Sequence, residues 1–492
     1  MNDVLHMSVK GLFGHLDYEL DFERNDGFSI IAAPNGFGKS TILGVLNAVY
    51  TGNIFYFIDL PFESFCIKQK NVQTGDVVNV EIRKTRESYK PKKVKTLWDE
   101  LLNDWESSEF FYGDEHAFFV NHKFRIDFAV GKKRFFITEQ QINKLMVSLG
   151  KNVKELEQVS DRDEYGKVWK FRGEAVHLSL PELFTRLSHN KDDYSIFTDY
   201  VPWLNEFKKL CSNDVLYITA NRFVDSTVMR RIRLKRQSRT FLRKDEVAFR
   251  KPWAAENFNA DIVSRVIFYE GMSCRSGETA KGKVHALDEF ANKEELFGCA
   301  KEAYEIAKEK EARFKRFGIF NDRGMVLNRE SGCLYHAPNK RDKKETLLQV
   351  LNDVEQFNAM YGGYEDFVER LDLLQTTLNK MFFFKKVEVS MWGLHFVGEG
   401  FERGFAARRL STGEHQMVAL LGLMLFDSEQ NLVLSDEPET SLHPAWQREL
   451  ANFFYKCKVR FNKRFIFASH SPLFIGNRSE NLINLYRQVK GE

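Results

Sequence analysis

The sequence predicts an α/β fold, a mixed sheet with flanking helices that is split by a mainly α-helical insertion. Three observations support this. A short apolar strand, Phe28 to Ala32, is followed by a glycine-bearing loop and an amphipathic helix. Apolar strands and helices alternate again over residues 387–492, whereas residues 254–383 carry apolar side chains at helical spacing. The expected parts are therefore 1–253, 254–385 and 386–492.

Composition indicates a folded chain of more than one module. Its 492 residues are 43% apolar and include 45 Phe, which excludes a disordered chain. No window approaches the roughly 18 apolar residues of a membrane span, and the start lacks the pattern of a secretory signal. The six cysteines show no CxxC pair, so neither a zinc site nor a disulfide framework is indicated. We expect a soluble, cytoplasmic protein.

Periodicity places further elements along the chain. Residues 5–22 predict a hairpin, residues 76–140 are strand-like with a hairpin at Gly131-Lys132, and residues 215–223 predict another strand. Two long helices are predicted, from His285 to Arg316 and from Lys344 to Phe382, the second broken at Gly362-Gly363. These helices either form a projecting arm or pack on the rest of the molecule.

The first motif with chemical content is a phosphate loop. Ala33 to Ser40 reads APNGFGKS, a Walker A pattern with Ala33 in place of the usual first glycine. Backbone amides at a helix N-terminus bind phosphate, Lys39 would reach the β and γ phosphates, and the Ser40 hydroxyl would coordinate Mg²⁺. An ordinary glycine-rich turn is the alternative. The candidate ATP-binding residues here are Asn35, Gly36, Phe37, Gly38, Lys39, Ser40 and Thr41.

Two later strands end in ionisable residues. Leu432 to Ser435 leads into Asp436 and Glu437, which resembles a Walker B motif. Asp436 would hold Mg²⁺, and Glu437 would orient and deprotonate the attacking water. A solvated strand end is the alternative. A further apolar strand, RFIFAS, ends at His470.

The order of the motifs carries a family resemblance. Residues 410–414 read LSTGE, which looks like an ABC signature, and residues 441–444 read SLHP, where a D-loop belongs. The chain thus resembles the ABC-type ATPases. The resemblance implies that Ser411 and Gly413 contact ATP held by a second copy, in a dimer or higher even-numbered assembly, and that His470 senses the γ-phosphate.

One family element is uncertain from the sequence. The family places a glutamine that links Mg²⁺ to the rest of the head after an apolar strand. Asn221, in the predicted strand and turn at 215–223, is the nearest analogue and a candidate metal ligand, and Gln69 is a weaker competitor.

Lys39 and Ser411 are separated by most of the chain. This arrangement, in which a large insertion splits the ATPase head, resembles that of the SMC, Rad50 and RecF group. The motifs LSTGE, LSDEPE, SLHPAWQ and SHSP are similar to those of OLD-related ATPases, which continue into a Toprim nuclease. Little sequence follows His470 here, and no nuclease constellation is visible. The chain therefore resembles the ATPase subunits of two-gene antiphage systems, PARIS (AriA) first and Septu (PtuA) second. That implies an ATPase that controls a separate Toprim-type or HNH nuclease.

Other functions remain open from the sequence. A DNA-repair clamp of RecF or Rad50 type is the main alternative, whereas the split head disfavours a transporter subunit. The net charge of +3 excludes a generic polyanion binder, but Arg230 to Lys244 is strongly basic. That segment is either a surface for an acidic phage trigger protein or nucleic acid, or a solvated charged face. No membrane partner is expected.

Overall fold

The computed structural model describes most of the chain in two compact units. The described ranges are 2–71, 74–86, 124–153, 156–159, 168–172, 178–188, 190–211, 215–219, 282–319, 337–398, 401–405, 407–426, 431–440 and 442–490, with isolated positions between 263 and 274. Unit 1 comprises Met1–Ala255, Glu429–Ser441 and Phe454–Glu492, and unit 2 comprises Glu256–Ser428 and Leu442–Phe453. Asn221, the basic segment Arg230 to Lys244 and Ser441 lie outside the described residues.

A five-stranded parallel sheet forms the part of unit 1 that bears the motifs. Its strand order is β10-β14-β15-β3-β16, and each neighbouring pair is parallel. The strands are β3 (Phe28–Ala32), β10 (Val215–Ile218), β14 (Leu432–Asp436), β15 (Arg464–Ser469) and β16 (Leu482–Asn484). Strands β3, β14 and β15 are almost wholly buried, as expected for parallel strands covered on both faces.

Helices cover both faces of this sheet. Helix α1 (Lys39–Thr51) follows β3 and buries Ile42, Leu46 and Val49 in a core shared with Leu434. On the other face, Phe454 packs against Phe467, with ring centroids 4.9 Å apart. Phe454 belongs to the helix Pro444–Phe461.

An antiparallel sheet and short helices complete unit 1. The six strands run in the order β2-β1-β4-β5-β6-β7, all neighbours antiparallel. They are β1 (Asn2–Leu12), β2 (Leu16–Asp21), β4 (Ser64–Asn71), β5 (Val77–Arg86), β6 (Phe124–Val130) and β7 (Lys133–Thr138), and a small pair is formed by β8 (Leu156–Val159) and β9 (Val168–Phe171). The helices are α2 (Glu139–Asn152), α3 (Leu180–Leu187), α4 (Lys191–Tyr200) and α5 (Leu204–Cys211), with Pro472–Ile475 and Leu485–Lys490 near the end. Clustered aromatic rings, such as Phe55 against Phe184 at 5.2 Å, fill this core.

Unit 2 combines helices with one small sheet. Its helices are α6 (Lys293–Arg316), α7 (Lys344–Tyr361), α8 (Glu365–Met381) and α9 (Thr412–Phe426). Its antiparallel strands are β11 (Lys385–Ser390), β12 (Gly393–Gly398) and β13 (Phe401–Phe405). Helices α6 and α7 pack side by side, with Phe314 and Phe357 stacked at 6.1 Å.

The α/β class predicted from the sequence is confirmed. The hairpin near the start, the strand before the phosphate loop and the break at Gly362-Gly363 are also present. One helix boundary is wrong, because α6 begins at Lys293 and not at His285. Asn292 is extended and its side chain accepts the Glu295 N–H at 2.8 Å, so it caps the helix at that point.

Among the described helices, none combines the length and the apolar character needed to cross a bilayer.

Candidate functional site

The phosphate loop is shaped by two glycines in the left-handed region, Gly36 with φ 88° and Gly38 with φ 76°. Gly38 precedes α1, and a Cβ there would lie only 2.9 Å from Cδ2 of Leu12. The Phe37 carbonyl accepts a hydrogen bond of 3.0 Å from the Tyr18 hydroxyl. The loop is therefore held in a conformation that suits glycine and leads into a helix N-terminus.

Lys39 is buried at the start of α1. Its ammonium donates to the carbonyls of Ala33 at 2.9 Å and Pro34 at 3.1 Å, and lies 3.9 Å from Oε1 of Glu437. A buried ammonium is stable only when hydrogen-bonded or paired with an anion. Lys39 thus places a positive charge between the phosphate loop and the end of β14.

Asp436 ends β14 and is 6% exposed. Burial raises the pKa of its carboxyl, and the neighbouring Glu437 adds to this, although a hydrogen bond from Ser40 and the charge of Lys39 oppose it. Its Oδ1 atom is buried without a partner among the described residues. A buried carboxylate oxygen that lacks a partner, next to a serine hydroxyl, fits the oxygen ligands that Mg²⁺ prefers.

The described part of the chain contains no cluster of three or more His, Cys, Asp or Glu side chains placed to hold a metal ion. Ser40 and Asp436 are the described residues that would supply oxygen ligands to Mg²⁺ at this position.

Glu437 follows Asp436 with a φ of 43°, an uncommon conformation for a residue with a side chain. Its N–H donates to the Ala468 carbonyl at 2.8 Å, and its own carbonyl accepts the Thr440 N–H at 3.0 Å. Its Oε2 atom accepts from the Thr440 hydroxyl at 3.1 Å. These contacts hold the backbone in a strained conformation, which is typical of functional sites.

His470 follows β15, the strand between β14 and β3. Its Nδ1 atom lies 3.0 Å from Oε1 of Glu437, and its side chain is 52% exposed. The carboxyl ends of parallel strands meet at one edge of a sheet, where ligands bind. Lys39, Ser40, Asp436, Glu437 and His470 are thus brought together at that edge.

The signature residues lie in unit 2, at the start of α9. Ser411 and Glu414 form reciprocal cap contacts, because the Ser411 N–H donates to Oε2 of Glu414 at 2.8 Å and the Glu414 N–H donates to Oγ of Ser411 at 3.3 Å. Lys385 donates to both carboxylate oxygens of Glu414, at 2.9 and 2.7 Å. A Cβ at Gly413 would meet no atom within 4 Å, so the backbone there is open to a ligand.

Of the two candidates for the family's Mg²⁺-linking glutamine, only Gln69 lies within the described residues. Strand β10, which leads toward Asn221, pairs with β14 in the parallel sheet. Gln69 belongs to the antiparallel sheet, where it pairs with Val4 and Val78, and its side-chain amide is 1% exposed. Gln69 thus lies in the antiparallel sheet and not in the parallel sheet that carries Asp436.

Sequence reasoning missed three supporting residues. Lys385 and Glu414 fix the start of α9, and Glu439 accepts a hydrogen bond from Ser469 beneath His470. The spacing Ser411-x-x-Glu414 is a capping-box pattern that was available in the sequence. No comparable local signal links Glu439 to Ser469.

Comparisons with known proteins give one family match, over part of the chain. Residues 283–476 match the family described as "AAA domain, putative AbiEii toxin, Type IV TA system". No curated protein shows significant similarity to the chain. The match covers the residues predicted to form the signature and the Walker B strand, together with His470, and its description names an AAA domain.

Solved structures that the chain matches include Smc head domains. One, from Pyrococcus furiosus and bound to the C-terminal domain of ScpA, is 13% identical with a TM-score of 0.33 and covers 98% of this chain and 93% of its own. Another, from Pyrococcus yayanosii with a coiled coil and joint, is 11% identical with a TM-score of 0.33 and covers 98% and 95%. These likenesses are distant, and no residue role rests on them.

Proposed function

We propose that this chain is the ATP-hydrolysing sensor and scaffold subunit of a two-component antiphage system that binds and controls a separate nuclease. The observation that carries the ATPase part is the cluster of Lys39, Ser40, Asp436, Glu437 and His470 at one sheet edge. The family description names a "putative AbiEii toxin" of a "Type IV TA system", and the proposal of a separate nuclease rests on the resemblance to two-gene antiphage systems.

The residues divide the work of phosphoryl transfer. The loop amides and Lys39 bind and orient the phosphates, while Ser40 and Asp436 would hold Mg²⁺, which neutralises charge on the phosphate oxygens when bound. Glu437 takes the proton of the attacking water, and His470 holds the Glu437 carboxylate in place. Phosphoryl transfer needs positioning and charge stabilisation, and these side chains supply both.

A complete site requires a second copy in this proposal. The Ser411 hydroxyl and the open backbone at Gly413 stand at the N-terminus of α9, a position that favours an anion. They would contact the phosphate held by the loop of another copy. The helical part, residues 254–385, would act as an arm that moves with the nucleotide state and so binds or releases the nuclease.

The experiment combines three measurements on the purified chain. Phosphate release should require Mg²⁺ and be lost in Lys39→Ala, while DNA and RNA stay intact. Co-expression with the neighbouring gene should give a stable complex whose toxicity depends on Lys39. Cleavage of nucleic acid by the isolated chain, or ATP turnover that rises steeply with DNA and involves no second gene product, would contradict the proposal and favour a DNA clamp.

A further inference from the structure

Residues 436–439 read DEPE, and the second glutamate of this segment, Glu439, is buried near the candidate site. Glu439 is 2% exposed, and its Oε1 atom accepts a hydrogen bond from the hydroxyl of Ser469. Its Oε2 atom is buried and has no partner within the described ranges. A buried carboxyl group costs free energy unless its contacts compensate, so this position calls for an explanation beyond packing.

Ser469 occupies a fixed place between the motifs. It is fully buried at the end of β15, next to Ala32 of β3. Its oxygen accepts the Ser471 N–H at 3.1 Å. Because a hydroxyl has one hydrogen, which Ser469 gives to Glu439, its lone pairs stay available for the Ser471 amide. The orientation of the hydroxyl therefore depends on an acceptor at residue 439.

Two side-chain contacts thus join the segment that follows β14 to the loop that follows β15. The outer connection is the Glu437–His470 contact, in which the histidine is half exposed. The inner connection is the buried Glu439–Ser469 bond. Exposed ionisable pairs contribute little to holding a geometry, whereas a buried hydrogen bond that leaves a polar group unsatisfied when broken contributes more.

We propose that Glu439 is a positioning residue for ATP hydrolysis: through Ser469 it fixes the segment 469–471, and thereby holds His470 against Glu437. This inference rests on the proposed ATPase function. Glu439 has no described contact with Lys39, Ser40 or the phosphate loop, so its role concerns the attacking water and not nucleotide binding.

Three variants change the acceptor and the donor of the Glu439–Ser469 hydrogen bond separately. Glu439→Gln keeps a side-chain oxygen that can accept from Ser469, Glu439→Ala removes it, and Ser469→Ala removes the donor. Glu23→Ala is the control, since it removes an exposed glutamate of unit 1 whose side chain has no described contact with the site. For each protein, single-turnover hydrolysis, the affinity for a fluorescent ATP analogue and the melting temperature are measured.

Misplaced catalytic groups commonly cost about 10²-fold in rate, and we expect Glu439→Ala and Ser469→Ala to lose about 10- to 100-fold in single-turnover hydrolysis. Their ATP affinity should match that of the wild-type protein. Glu439→Gln should recover most of the rate. The double variant Glu439→Ala/Ser469→Ala should be no slower than the slower single variant, because both remove the same bond.

Several results would overturn the positioning role. Folded Glu439→Ala that hydrolyses ATP at the wild-type rate would do so, as would equal losses in rate and in ATP affinity, which indicate general damage. If Glu439→Ala does not fold, Ser469→Ala decides by the same criteria. A wild-type protein that hydrolyses no more ATP than Lys39→Ala would instead overturn the ATPase function itself, and the positioning role with it.

Discussion

Nδ1 of His470 lies 3.0 Å from Oε1 of Glu437, and the same carboxylate oxygen lies 3.9 Å from Nζ of Lys39. Glu437 therefore stands between the loop that would bind the phosphates and the residue that follows β15. A carboxylate in this position can take a proton from water beside the phosphate without itself binding the nucleotide.

Glu437→Gln should separate binding from hydrolysis. The amide keeps the shape of the side chain but cannot accept the proton, so turnover should fall by about 10²- to 10⁴-fold, the usual share of general-base catalysis. Affinity for ATP should stay close to that of the wild-type protein. Phosphate release and equilibrium nucleotide binding measure the two effects. Loss of ATP binding in this variant would assign Glu437 to metal ligation instead.

Asp436 should make the Mg²⁺ requirement sensitive to pH. Burial raises the pKa of this carboxyl, so protonation in the folded state begins at a higher pH than for an ordinary aspartate. Protons then compete with the metal, and the Mg²⁺ concentration needed for half-maximal hydrolysis should rise as the pH falls through that raised value.

Asp436→Asn is the matched variant, because it keeps the shape of the side chain and cannot be ionised. It should lose the stimulation of hydrolysis by Mg²⁺ at every pH. Mg²⁺ titrations over a pH series measure both effects. An unchanged Mg²⁺ response in Asp436→Asn would exclude this residue as a ligand.

Glu414 should stabilise unit 2 by capping α9. Burial raises its pKa, but hydrogen bonds from Lys385 and Ser411 outweigh burial and leave the pKa below the usual range. A carboxyl whose folded-state pKa is lowered stabilises the protein above its unfolded-state pKa, and this contribution is lost as the pH falls through the folded-state value. Glu414→Ala should lower the free energy of unfolding by about 1 kcal/mol near neutral pH, as for loss of a helix cap, and by less in acid.

Urea denaturation at several pH values tests this expectation. Glu388→Ala is the control, because Glu388 pairs with Lys386 on the surface of the same unit, where such pairs contribute little. Equal stability changes in the two variants at neutral pH would show that the cap at α9 has no special role.

The predictions from the sequence agree best with the structure in segments whose secondary structure is determined by local apolar spacing and glycines. The strand, loop and helix from Phe28 to Thr51 are read directly from apolar spacing and glycines. Asp436 and His470 could be placed near each other because both follow apolar strands of a predicted sheet, and parallel strands align their carboxyl ends.

Strand pairing could not be read in the same way. Strand β15 lies between β14 and β3, and this order depends on packing over long sequence separations. The Glu439–Ser469 bond follows from the register in which Asp436 pairs with Ala468, so it is not visible in either segment alone. The helices between Glu139 and Cys211 were also missed, although Thr138 carries a capping box with Gln141.

Two defective proteins should complement each other if the site is shared between copies. Lys39→Ala damages the phosphate loop in unit 1, and Ser411→Arg blocks the start of α9 in unit 2. In a symmetric dimer each site would use unit 1 of one copy and the signature of the other, so a mixed dimer would contain one intact site. Random mixing should then restore about a quarter of wild-type turnover.

The matched control mixes Lys39→Ala with Glu437→Gln. Both changes lie in unit 1, so every site in a mixed dimer retains one of them and turnover should not recover. Phosphate release by each mixture, with the oligomeric state measured by light scattering, distinguishes the cases. Recovery in the first mixture alone supports a site shared by two copies. No recovery in either mixture, together with full turnover by wild-type monomers, would show that one chain hydrolyses ATP without a partner.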